Sequence, residues 1–186
     1  NSANSRGGSI YLTGGSEAAI ISCDFTNNSA DSTGGDIEAR DGSQVALEDA
    51  VLTGADAGGG GSLHANDASF SIDDVWITGA SAGTGAIGAR GDSVLYMHDV
   101  TVSSSVVVNA GGGVALHNSA VANISRCTFG NNSAPLGGGL YTADSSLAFV
   151  HNTVFAGNEV GTGGGVYATH DSFVELINAT VAYNDS

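Results

Sequence analysis

Apolar residues recur along this chain in pairs two positions apart, and the pairs return at a fixed interval. Gly8, Gly35, Gly61, Gly85, Gly112, Gly138 and Gly164 each precede an aliphatic residue by two. Those partners are Ile10, Ile37, Leu63, Ile87, Val114, Leu140 and Val166, spaced 27, 26, 24, 27, 26 and 26. A second anchor keeps step: Phe25, Leu52, Ile77, Val102, Phe129, Phe155 and Val181, spaced 27, 25, 25, 27, 26 and 26. Repetition at such a period is the signature of a solenoid, in which each unit buries its apolar face only by stacking on its neighbours.

Within a unit, apolar residues fall at the anchor, at two, five and seven residues before it, at the aliphatic residue after the glycines and two beyond that. In the fifth unit these are Phe129, Cys127, Ile124, Ala122, Val114 and Leu116. Across all seven units only Thr142 and Thr153 break the pattern. A spacing of two is the period of a strand whose alternate side chains point inward. Each pair is bounded by Gly, Ser, Asp or Asn, which mark turns. The pattern predicts an all-β parallel β-helix of about seven coils of ~26 residues, three short strands per coil, forming one domain over residues 1–186. Stacked at the interstrand spacing, the coils make a rod roughly 34 Å long. Glycine in every unit predicts a corner where φ is positive or where a Cβ would collide.

An Asn follows the anchor by three in four units, as Asn28, Asn132, Asn158 and Asn184. Stacked at strand spacing, these predict an amide hydrogen-bond ladder. Ala55, Ala80 and Ser105 occupy the position in between, so the ladder is interrupted.

The pairing of Gly7-Gly8-Ser9-Ile10 and Gly34-Gly35-Asp36-Ile37 with Phe25–Asn28, Phe129–Asn132 and Phe155–Asn158 resembles the repeat of the chlamydial polymorphic outer-membrane proteins. That resemblance covers essentially the whole chain. It implies a right-handed parallel β-helix of the pectin-lyase-like class, carried by secreted or surface-displayed proteins often concerned with adhesion; the general crossover rule gives the same hand.

Charge narrows the partners. The net charge is −15, with four Arg and no Lys. Nucleic acid needs neutralising cations, so the composition argues against it as a partner, and anionic membrane surfaces are disfavoured too. No apolar stretch reaches the length of a membrane span. Asn1 starts in mid-repeat without a leader, which predicts a processed or trimmed piece, or one unit of a repeating assembly.

Several residues carry possible chemistry. Asp49, Asp74 and Asp99 share a column three residues before the anchor, continued by Asn152 and Asn178. The column reads as a solvated corner bonding turn backbone, with a Ca²⁺ site as the alternative. The Asp73-Asp74 pair is similar to the paired aspartates of polygalacturonases, but the accompanying Asn-Thr-Asp, His-Gly and Arg-Ile-Lys elements are missing from the sequence. Arg40 and Arg90 are expected to pair with Asp41 and Asp92 on turns. The five His do not converge; only His98 and His151 share a column. Cys23 and Cys127 lie four coils apart, too far for a disulfide, and read as small core residues. These readings predict no enzyme, no cofactor and no metal.

Tyr11, Tyr141 and Tyr167 share an outward column and are candidates for stacking on sugar rings, although an aromatic ladder also supports neighbouring strands. Sequons occur at Asn27, Asn123, Asn131, Asn178 and Asn184. The first four are expected to be accessible to glycosylation and Asn184, on the ladder, less so. The favoured function is a non-enzymatic extracellular or cell-surface rod with a structural or adhesive role and a surface glycan or protein as ligand. The alternatives are a subunit that stacks end to end with its own copies in a fibril, and a carbohydrate-binding or polysaccharide-active β-helix.

Overall fold

The structure is a computed structural model and describes residues 1–185. Seven coils of strand and turn stack in parallel, with no helix among the described residues. Three sheets form the faces. The first, seven-stranded, runs from Ile10–Leu12 to Val166–Ala168. The second has twelve strands and starts with Glu17–Ile21 and Asp24–Thr26. The third, seven-stranded, runs from Ser2–Ala3 to Glu159–Thr162. Every strand pairing is between adjacent coils, and like stacks on like: Ile37 registers with Leu63, and Phe129 with Phe155.

The three faces agree in number with the expected three strands, but they divide the coil differently. The second and third apolar pairs of each unit lie on one sheet and even merge into single strands, Gln44–Thr53 and Ser69–Thr78. The bend between them falls three residues before the anchor. There Ser22, Asp49, Asp74, Asp99, Arg126, Asn152 and Asn178 all have φ between 50° and 58°. Asp and Asn tolerate this left-handed backbone better than most side chains, which accounts for the carboxylate column without a ligand.

The third face has no counterpart among the predicted strands. Each of its strands sends a single small side chain inward (Ala30, Ala57, Ala82, Val107, Ala134 or Val160), always five residues after the anchor. Only Ala57, Ala82 and Ala134 have an apolar residue two positions away, as Ala55, Ala80 and Leu136, so no alternation is common to the coils.

The six inward positions of each unit are buried throughout the five inner coils, Thr142 and Thr153 included. At about 25 cal/mol per Å² of apolar surface this stack is the main stabilising term. In the last coil Val166, Val174 and Ala179 are half-buried, while Ala168, Leu176 and Val181 are exposed, Leu176 at 42% and Val181 at 50%. Turns into the first face need glycine for two reasons. Gly34 has φ of 64°, and a Cβ on Gly138 would lie 2.6 Å from the carbonyl oxygen of Gly164 one coil away.

The sharp glycine turn also sets the third sheet at a concave angle to the first. Thr33, at the end of a third-face strand, bonds through Oγ1 to Glu38 on the first. Ala110 of the third face packs on Tyr141 and Ala143. The outward side of the first sheet is therefore covered, and its column Glu38, His64, Gly88, Ala115 and Tyr141 is buried.

Candidate functional site

The concave corner holds a groove of about 550 Å³. Its floor is low because side chains drop out on both sides: Gly88 in the outward column of the first sheet, Gly58 and Gly59 on the third. His64, Arg90 and His117 line it from the first sheet, with Thr84 opposite.

At one end stands a buried charge cluster. Glu38 has no solvent exposure, and its Oε1 lies 3.7 Å from Arg6 Nε, 3.7 Å from Arg40 Nε and 3.7 Å from His64 Nδ1. Neither Glu38 Oε1 nor His64 Nδ1 has a hydrogen-bond partner. Burial pushes the His64 pKa below the ordinary value, against the opposing pull of Glu38. His64 is thus a neutral ring at pH 7 whose Nδ1 faces a carboxylate. His117 is also held low by burial, with Asp144 pulling the other way; its Nδ1 is 3.6 Å from Asp144 Oδ2.

The arginines do not pair as expected. Arg40 turns to Glu38 rather than Asp41, whose carboxylate accepts from Thr13 Oγ1 at 2.6 Å. Arg90 donates from Nε to Asn66 Oδ1 at 3.2 Å and has no carboxylate within 4 Å among the described residues. The reason is register. Arg90, Asn66 and Arg40 follow one another down one column, so their side chains meet along the axis, while Asp41 lies beyond on a turn with φ of 53°.

The Asp column splits similarly. Ser22 donates to Asp49 Oδ2 at 2.6 Å, and Arg126 grips Asp99 through Nε and Nη2, both at 2.9 Å. The donors that converge are instead those of Asp73, His98 and Asp99. His98 Nδ1 sits 2.9 Å from Asp73 Oδ1 and 3.2 Å from Asp99 Oδ2. Asp73 and His98 are register partners in adjacent strands and share one column; Asp99 joins them from the neighbouring column, which reading each column alone misses. His98 and His151 stay apart, with Ser125 between them in the register.

The amides at the ladder positions are placed in two ways. Asn132 donates from Nδ2 to Asn158 Oδ1 at 3.2 Å, and Asn158 to Asn184 Oδ1 at 2.8 Å. Each also donates into the core, Asn132 to the Val102 carbonyl and Asn158 to that of Phe129. Asn28, facing Ala55 in the next coil, turns to Asp36 instead.

Tyr141 is buried, stacked on Tyr167 with centroids 5.8 Å apart and tilted on His117 at 5.2 Å. The column expected to be exposed therefore offers only Tyr11 freely, five coils away beside Glu38. Of the sequons, Asn27, Asn131 and Asn178 are exposed at left-handed turn positions. Asn123 is half-buried on a strand, and Asn184 donates its amide to the Phe155 carbonyl at 2.9 Å. Cys23 is exposed and Cys127 buried, both unbridged; burial pushes the Cys127 thiol up to about 11.

This geometry defines a parallel β-solenoid with a concave polar groove. Residues 60–186 match the model of the right handed beta helix region, and the chain belongs to that family. Comparison with curated proteins and with solved structures returned no match.

Proposed function

We propose that the protein is a non-enzymatic extracellular β-helix rod with a structural or adhesive role. The observation that carries this reading is the unbroken axial stack, in which three parallel sheets and a like-on-like core run through all seven coils. Such a stack is stiff and repeats its outward columns at one spacing, which suits spacing or display. The resemblance of its Gly-Gly-x-Ile and Phe-x-x-Asn elements to the chlamydial surface repeats supports adhesion, and exposed sequons with a −15 charge support an extracellular setting. Immobilised protein is to be tested for binding to cells and glycan arrays, alongside a polysaccharide panel assayed for new chain ends. Release of products would overturn the non-enzymatic reading; binding to neither cells nor glycans would overturn adhesion.

A second reading is end-to-end self-association, supported by the uniform register in which each coil pairs only with its axial neighbours. Sedimentation of wild-type protein against Val181→Asp tests it: a concentration-dependent mass that the substitution abolishes is expected, and a monomer at all concentrations overturns it.

A further inference from the structure

The chain has four arginines against nineteen acidic residues, and one of them, Arg90, lines the groove. Arg6 and Arg40 are both turned to buried Glu38. The fourth, Arg126, is on the second face and is neutralised by Asp99. Asp31, on the third-face strand Ser29–Thr33, is the acidic residue of the lining.

Arg90 is the cation left over. Its Nε is tied to Asn66, which fixes the plane of the guanidinium and leaves its Nη donors without a carboxylate. Beside it, His64 is almost wholly buried at 4% exposure, with Nδ1 unpartnered and held towards Glu38. That orientation leaves Nε2 on the side of the groove. The hollow above Gly88 and Gly59 is open because neither carries a side chain, and a Cβ on Gly88 would press on the His64 ring at 3.1 Å.

We propose that this groove binds the oxyanion group of a small anionic ligand, a carboxylate, sulfate or phosphate, held by the guanidinium of Arg90 with His64 and His117 beside it. A planar fork of N–H donors matches two oxygens of such a group, and the His64 ring, with Nδ1 turned to Glu38, lies close enough to report the ligand without donating to it. The groove volume admits a small molecule rather than a polymer segment buried end to end. The site goes beyond the rod reading and does not depend on it.

The test uses the intact protein with ¹⁵N-labelled histidine. It is titrated at pH 7 with acetate, sulfate and inorganic phosphate, against chloride at matched ionic strength. Saturable displacement of the His64 and His117 ring signals by at least one anion is expected, and the anion that saturates identifies the source. Arg90→Gln should abolish saturation, and Arg126→Gln should leave it unchanged. Arg90→Lys, which keeps the charge but not the fork, should need at least tenfold more anion, and it serves if the Gln variant does not fold. The anion should also raise the melting midpoint of wild type and Arg126→Gln but not of Arg90→Gln. No saturation with any of the three anions, or equal saturation in the Arg90 variants, overturns the proposal.

Discussion

Asn28 donates from Nδ2 to Oδ1 of Asp36 at 2.7 Å, eight residues along its own coil, instead of reaching to the next. Asp36 is fully buried, its Oδ2 is unpartnered, and burial raises its carboxyl to about 6. The ladder position thus serves two ends: axial amide bonding late in the chain, and support of a buried acid early in it.

Asp36 gives the stability a definite pH dependence. The folded state holds the proton up to about 6, while the unfolded chain releases it near 3.8. The folded state therefore binds more protons between these values, and this group's contribution falls as pH rises through that window, by about 3 kcal/mol in all. Asp36→Asn should remove the fall and be more stable than wild type at pH 7 by roughly 2–3 kcal/mol. Urea unfolding from pH 4 to 7.5 checks it. The difference between the two proteins is the quantity to follow, because His64, with its lowered pKa, acts in the opposite sense: stability is lost as pH drops below its ordinary 6.5.

Asn158 is the most heavily committed amide. It donates to the Phe129 carbonyl and to Asn184, and it accepts from the backbone and side chain of Asn132. Asn158→Ala strands buried polar groups on both sides and should cost about 2–4 kcal/mol. Asn184→Ala, in the half-exposed last coil, should cost less than half of that. Equal losses in chemical denaturation would contradict the axial bonding.

Phe129 and Phe155 stack with centroids 5.1 Å apart and planes inclined by 12°. Both are fully buried. Phe129→Ala leaves a cavity in mid-rod and should cost about 3–5 kcal/mol. Phe129→Asp adds an unpaired buried charge and should abolish folding, read as loss of the cooperative transition. Trp76→Ala, at a 60% exposed site on the second face, should change stability by less than 1 kcal/mol and serves as control.

Expression through a eukaryotic secretory route should place glycans on Asn27, Asn131 and Asn178 ahead of half-buried Asn123. Asn184, whose Nδ2 is bonded to the Phe155 carbonyl, should stay unmodified. Glycopeptide mass spectrometry decides the order, and high occupancy at Asn184 would mean that its amide is not held in the coil.

The sequence by itself determined the repeat, the coil number and the inward positions, because burial of a stacked core forces every unit to repeat the same alternation. It also located the turns, since Gly, Asn and Asp mark left-handed backbone at Gly34, Asn27 and Asp74 alike. The third face escaped this reading: one Ala per strand, such as Ala30 or Ala82, leaves no periodicity, though its constant offset from the anchor was a usable signal. Only the tertiary structure decided what the outward columns meet. Glu38, His64 and Tyr141 alternate with core residues as solvent-facing side chains would, yet the glycine turns fold the third sheet against them. Local pattern records which side of a strand a residue takes; which second surface lies over that side depends on the angle between sheets, and that angle turned an expected exposed face into a buried charge cluster and a groove.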